Sequence, residues 1–270
     1  MKKQLLLALL IITATACTIH HHEVFVGGGS IAPKTIRVLS YNVRHCSPPA
    51  TGLIDIDATA AAIKKQNPDV VALQEIDVNT GRSGKLINQA TELGKKTGMI
   101  AYFGKAIDHD GGEYGVAILS KHGLRDPKVY KLPTDESTKG EHRVVLYAEI
   151  FLPNGKTYGF ATTHLDAQGP ETNRDLQIKE IIKISQKFKK PFILAGDLNA
   201  YPESNVIKQL DQHFTRSCQQ CGFTIPATKP NRTIDYIAYL KGSALKVLSH
   251  EVIVEPKTSD HAPILTVFKY

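Results

Sequence analysis

Tryptophan is absent from the 270 residues, and aromatic side chains make up only 7% of them. A groove that grips a nucleic-acid polymer needs stacking platforms or a basic stripe. This chain has no long run of like charge and no arginine-rich stripe. It also lacks an apolar run long enough to cross a bilayer as a stable helix, since Leu5–Ile12 falls well short of the ~20 residues a span requires. Cysteines are few, and Cys218 and Cys221 form a lone C-x-x-C. Zinc would need two further ligands, and only His213 is close in sequence, so a small loop-closing disulfide is the better reading. Cys46 is then left as a free thiol. No internal repeat or low-complexity segment interrupts the chain.

What is present begins at the N-terminus. Met1-Lys2-Lys3, the apolar run and Ala14-Thr15-Ala16 are the three parts of a bacterial export signal, assigned to residues 1–16. Cys17 resembles the acylated cysteine of a lipobox, although Ala14-Thr15-Ala16 would serve equally as a plain cleavage site. The stretch 17–35 is rich in glycine and carries His20, His21 and His22, and it reads as a flexible, solvated tether. Without Lys2 and Lys3, Lys and Arg fall from 33 to 31 against 26 Asp and Glu, so the net charge drops from +7 to +5. That is a mild bias toward anionic partners. Export would place the protein in the periplasm or at the cell surface, held to the membrane through Cys17.

From Ile36 onward strand and helix signals alternate without a linker, which assigns residues 36–270 to one domain. Strands are expected at Ile36–Val43, Asp69–Gln74, Met99–Phe103, Tyr114–Leu119, Val144–Leu152, Lys156–His164, Phe192–Ala195, Ile234–Leu240, Leu245–Val254 and Ile264–Phe268. Helices are expected at Ile56–Gln66, Asn88–Thr97 and Thr172–Lys189. The even spread predicts two packed sheets with helices outside.

Polar residues gather where these strands stop. Asn42 follows Leu39-Ser40-Tyr41, Glu75 follows Val70–Gln74, His164 closes Phe160–Thr163, Asp197 and Asn199 follow Ile193–Gly196, Asp235 lies within Thr233–Ile237, and Asp260-His261 precedes the last strand. Taken singly, each is an ordinary turn or cap residue. As a set, the acidic and amide oxygens suit a hard cation, and the two histidines suit proton handling.

The segments SYNVRH from Ser40, PDVVALQEID from Pro68, EYGVAILS from Glu113, TTHLD from Thr162, GDLNA from Gly196, TIDYIAY from Thr233 and SDHAP from Ser259 carry a resemblance. In this order, over nearly all of the mature chain, they resemble the endonuclease/exonuclease/phosphatase superfamily. The resemblance implies a four-layered α-β-β-α sandwich of the DNase I-like kind, with two mixed sheets and outer helices. It further implies a metal-dependent phosphodiesterase or phosphatase using Mg2+ or Mn2+. Glu75 would be the principal metal ligand, with Asn42 and Asp260. His261 would be the general base, oriented by Asp235. Asp197 and Asn199 would position the attacking water and stabilise the transition state. His164 would contact phosphate, with Glu113 as its acidic partner.

Two places depart from the family. Arg44 stands where abasic-site endonucleases carry an acid, and Asp77 stands where DNase I carries a DNA-contacting arginine. Both weaken a nuclease reading. Arg82 would clamp a substrate phosphate or serve as a solvated loop residue. The loops expected to set specificity are Cys46 to Gly52, Thr80 to Gly84, Asp108 to Gly112 and Asp211 to Arg232. The favoured function is hydrolysis of a small or lipid-linked phosphoester. A secreted endonuclease and a non-catalytic binding protein on the same fold are the alternatives.

Overall fold

The computed structural model describes residues 35–188, 191–254 and 257–270. The expected leader, Cys17 and the histidines of the tether therefore lie outside the described residues. Thr35, assigned above to the tether, opens the first strand. No helix among the described residues is long and apolar enough to cross a membrane.

One sheet contains β1 (Thr35–Asn42), β2 (Val70–Val78), β3 (Ile100–His109), β4 (Gly112–Ser120), β11 (Lys246–Val252) and β12 (Ile264–Lys269) in the order β11-β12-β1-β2-β4-β3. The other contains β5 (Gly123–Lys131), β6 (Val144–Phe151), β7 (Thr157–His164), β8 (Phe192–Asp197), β9 (Phe214–Arg216) and β10 (Asp235–Leu240) in the order β5-β6-β7-β8-β10-β9. The sheets pack face to face through Val38, Val70, Ile118, Leu146, Phe160 and Ile193, all fully buried. Helices α1 (Ile56–Lys65) and α2 (Gln89–Thr97) cover the first sheet, and α3 (Thr172–Ser185) and α4 (Asn205–His213) the second. This is the four-layered α-β-β-α sandwich, and each apolar side chain fully buried in it contributes roughly 1.5–3 kcal/mol. With both faces covered, the central strands need apolar residues at every position, as in Val70-Val71-Ala72-Leu73.

Each helix is started by a side chain that satisfies an otherwise unpaired amide, except α3. Asp55 accepts from Ala58 N, Asn88 from Thr91 N and Ser204 from Ile207 N. Gly98 ends α2 at φ 70°, a left-handed conformation that suits glycine. Helix α3 stops at Ser185, earlier than its periodicity predicts, and α4, β5 and β9 are elements the sequence pattern did not single out. Pro127 sits in β5 at the sheet's edge, beside a bulge between Arg125 and Lys128, where a missing N–H costs no ladder bond. Asp108 to Gly112 is a tight hairpin tip and not an open loop: β3 and β4 run through it to a two-residue turn with Asp110 at φ 48° and Gly111 at φ 76°. Positive φ at both central residues is the tight-hairpin geometry that Asp-Gly favours. Cys218 and Cys221 are joined as a disulfide, while Cys46 is free and buried, and burial pushes its thiol up to about 12.

The pairing pattern decides where function can sit. At the heart of each sheet lies a parallel pair, β1 with β2 and β7 with β8. Parallel strands end on the same side, so Asn42 faces Gln74 and His164 faces Asp197 across the ladders. Antiparallel β10 starts at that same edge, with Asp235 opposite Asp197. Antiparallel β12 does likewise, its Ile264 opposite Ser40, so Asp260 and His261 lie just ahead of it.

Candidate active site

Along β1, β7, β8 and β10, alternation places Asn42, His164, Asp197 and Asp235 on the same face as the apolar residues between the sheets. The polar cluster is thus the end of the central core. The sheets are tied there by side chains: Asn42 Nδ2 donates to Asp197 Oδ2 at 3.1 Å, and Gln74 Nε2 donates to Thr162 Oγ1 at 3.0 Å.

Glu75 reaches the cluster by a different route. Alternation alone would send a neighbour of Gln74 toward the helices. Between Leu73 and Ile76, however, β2 carries one residue more than β4, and Glu75 takes φ 57°. The bulge lets Ile76 join Leu73 under the helices and frees Glu75 for the site. A non-glycine residue in this conformation is strained by about 1–3 kcal/mol, a cost that clusters at functional sites. Glu75 Oε1 accepts from Asn42 Nδ2 at 3.0 Å, and Oε2 lies 3.9 Å from His45 Nδ1. Burial opposes its ionisation, yet hydrogen bonding from His45 and Asn42 and the charge of His261 outweigh that and bring the carboxyl down to about 2.

His261 is buried between two carboxylates. Its Nδ1 bonds Asp235 Oδ2 at 2.9 Å, and its Nε2 stands 3.7 Å from Asp197 Oδ2. Burial disfavours the imidazolium, but the charge and hydrogen bond of Asp235, with Asp197 and Asp260 behind it, raise the ring to about 10. Burial, and then the charge of Asp235, push Asp197 above the ordinary carboxylate range. His164 Nε2 lies 3.5 Å from Asp197 Oδ2, and burial followed by the nearby Arg143 charge holds this second ring neutral. Asp197 Oδ1 accepts from Asn199 N at 2.9 Å, while Asn199 Nδ2 donates to Leu165 O at 2.9 Å. Gly196 makes the approach of β8 to β7 possible: a Cβ there would lie 2.1 Å from Thr163 O.

Asp260 is more open. Its Oδ2 faces Arg44 Nε at 3.7 Å, and Ser259 Oγ donates to Asn42 O at 2.7 Å, fastening this segment to the end of β1. One expectation is corrected, and two further residues are engaged by neighbours. Glu113 is not the partner of His164; it lies on the hairpin beside Asp108 and pairs with Lys105 Nζ at 3.0 Å, while His164 Nδ1 is buried without a partner. Asn42 turns its amide N–H groups to Glu75 and Asp197, and its oxygen accepts from Arg44 N at 3.1 Å. In that orientation it tethers the carboxylates and offers no oxygen between them. Arg82 stands on the rim, lining a cavity of about 120 Å³ with Glu75 and Tyr114, but its Nε and Nη2 are engaged by buried Asp77 at 2.7 and 2.8 Å.

Two contributors escaped the sequence reading. His45 follows Asn42 in a left-handed turn, with φ 44°, and nothing in its sequence neighbourhood marks it apart from the motif itself. Arg143 is buried ahead of β6 and pairs with Glu141 at 2.9 Å; a lone arginine before a strand carries no signal of burial.

The donor chemistry fits a hard divalent cation. Glu75 is ionised and Asp260 is accessible on the oxygen-rich side. Asp197, Asp235 and His261 also bring ligand atoms within 4.8 Å of one another and could hold a metal ion. The hydrogen bond between His261 and Asp235 commits those two groups to each other, so Glu75 and its neighbours are the better hard-cation donors.

The chain matches the family model described as "Endonuclease/Exonuclease/phosphatase family" over residues 39–261. No curated protein is detectably similar in sequence. Among solved structures, an endonuclease/exonuclease/phosphatase from Beutenbergia cavernae DSM 12333 is 23% identical, with a TM-score of 0.76 over 87% of this chain and 71% of that one. The human Nocturnin catalytic domain with bound sulfate is 22% identical, with a TM-score of 0.65 over 87% and 93%. A mannosyl-6-phosphatase of Bacteroides thetaiotaomicron VPI-5482 is 16% identical, with a TM-score of 0.70 over 87% and 100%.

Proposed function

The chain belongs to the endonuclease/exonuclease/phosphatase family, and from that premise we propose that it hydrolyses a small or lipid-linked phosphoester by attack of water. The observation that carries this reading is His261, held on Nδ1 by Asp235 at 2.9 Å with Nε2 directed toward Asp197. Asp235 fixes the ring so that Nε2 takes the proton of the attacking water, and it stabilises the imidazolium that results. Asp197 orients that water. His164, neutral and buried, donates a hydrogen bond to a phosphoryl oxygen, and the second N–H of the Asn199 amide does the same.

Glu75, with Asp260, would hold Mg2+ or Mn2+, and the bound ion would neutralise phosphate oxygens and loosen the carboxylates' hold on the His261 proton. Arg44 bears on how many ions are held. A guanidinium beside Asp260, in place of a further acid, favours one cation over two.

The substrate preference rests on the rim. Asp77 binds the Arg82 fork and also accepts from Thr80 and Ser83, so the loop that would meet a polyanion is neutralised and pinned. A sugar, inositol or phospholipid-like phosphoester is expected to be cleaved at least ~10-fold more efficiently in kcat/KM than DNA, a difference of only ~1.4 kcal/mol in transition-state binding. Phosphate release beside plasmid nicking at matched enzyme concentration checks this. Efficient nicking with inert sugar and lipid phosphates would favour the nuclease reading. The mannosyl-6-phosphatase likeness supports a compact alcohol as leaving group, and the sulfate in the Nocturnin domain supports an anion site on this fold.

The export signal and Cys17 add a location: an acylated protein on a bacterial membrane surface. Cys17→Ser is expected to move the protein into the soluble fraction with unchanged specific activity. An unmodified N-terminus in mass spectrometry of native protein would exclude the anchor.

A further inference from the structure

Beside the catalytic cluster, on the side of the second sheet, lies a cavity of about 400 Å³ that the mechanism does not use. Its walls are two loops. One follows Asn199 and contributes Tyr201 and Glu203; the other leads into Asp235 and contributes Gln219, Gln220, Phe223 and Asn231. Tyr201 and Thr233, which both line it, stand two residues from Asn199 and Asp235, and two residues of chain span at most about 7 Å. The cavity therefore begins within about 7 Å of backbone from Asn199, which would meet the phosphate, and from Asp235, which holds His261.

Both walls are held in register with the site. Tyr236 Oη, buried in β10, donates to Ala200 O at 2.8 Å on one wall and lies 3.2 Å from Thr233 O on the other. Thr233 Oγ1 donates to Gly222 O at 2.9 Å, and the Cys218–Cys221 disulfide closes the loop behind it. Ala227 N donates to Asp260 O and Ala262 N to Thr224 O, so the same loop is stitched to the segment carrying His261.

Its lining is unusual for a surface loop. Tyr201 and Phe223 remain 49% and 55% exposed, although each buries a large apolar face when covered. The same lining carries a carboxylate, three carboxamides and Arg232. Aromatic faces carry negative charge density, which attracts the weakly positive C–H bonds on the face of a saturated ring. Carboxamides and a carboxylate take the hydroxyls around its rim. A nucleobase would use the rings but present few edge atoms to so many hydrogen-bonding groups. A lipid tail would leave them unsatisfied.

We infer that this cavity binds the alcohol part of the substrate, and that this alcohol is a polyhydroxylated ring, a sugar or inositol. The inference rests on the hydrolase reading above and narrows it to one leaving group. The test uses the purified full chain, with Tyr201→Ala, Phe223→Ala and Tyr201→Phe. The readout is the ratio of kcat/KM for hexose and inositol phosphoesters to that for methyl phosphoesters of the same type. The wild-type ratio is expected to exceed unity and to fall about tenfold in each alanine variant, chiefly through KM, with Tyr201→Phe retaining most of it. A ratio unchanged by the alanine substitutions, or a preference for nucleotides that they abolish, would overturn the inference while leaving the hydrolase intact. Should the wild type hydrolyse no phosphoester at all, the hydrolase reading fails by itself. Calorimetric titration with inositol phosphate then decides the cavity: binding weakened by Tyr201→Ala upholds it, and no binding overturns it.

Discussion

Excess chelator is expected to abolish turnover completely, and magnesium or manganese to restore it. The reason lies in the balance of charge at the end of the central core. Glu75 is ionised well below neutral pH, Asp235 is buried against His261, and Asp197 and Asp260 add two further carboxyl groups. A phosphoester brought into such a place meets like charge, and the neighbouring cations are already engaged: Arg82 by Asp77, Arg143 by Glu141, Arg44 beside Asp260. His261 must give up its own charge to act as a base, so a bound cation supplies the positive charge the site then lacks, and effects of this kind are worth several kcal/mol at the transition state. Glu75→Gln is expected to weaken the metal requirement's apparent affinity and the rate together. Full activity in excess chelator would show that the carboxylates act without a metal.

The second large effect is expected from the His261–Asp235 pair. His261→Ala and Asp235→Asn should each lower kcat by at least ~100-fold, the lower end of what a general base contributes and about 2.7 kcal/mol of barrier. Asp235→Asn is the sharper of the two because it keeps volume and hydrogen bonding nearly constant. An amide in that position stabilises the imidazolium far less, and its N–H can oppose Nδ1 and force the proton onto Nε2, where it blocks the base. Asp197→Ala should fall in the same range, since it removes the group facing Nε2. Thermal unfolding of each variant separates a catalytic loss from a folding defect. Near-normal kcat in a folded Asp235→Asn protein would remove His261 from the role of base.

The sequence carried the architecture because its strongest signals are periodic or positional. Continuous apolar runs such as Val70–Leu73 are demanded by burial on both faces, and polar residues at the ends of those runs follow from parallel pairing. What it hid depends on long-range or strained geometry. The bulge at Glu75 is invisible because glutamate has no preference for a left-handed backbone; only the pairing of β2 with β4 reveals it. Helix α4 does have a readable start at Ser204, with Val206, Ile207 and Leu210 buried on one face, and could have been found. Strand β5 could not, because an edge strand containing Asp126 and Pro127 reads as a turn. Glu113 was misplaced because a motif fixes a residue's position along a strand and not the direction of its side chain.

The seam between the sheets has a consequence in time. Asn42 lies on the first strand of the chain and His261 just ahead of the last, and β12 is an interior strand, inserted between β11 and β1. A chain still emerging from the ribosome therefore holds Glu75, Asp197 and Asp235 without His261. The site is whole only once the C-terminal strand is zipped home, so the last few residues to be made decide when its groups first meet.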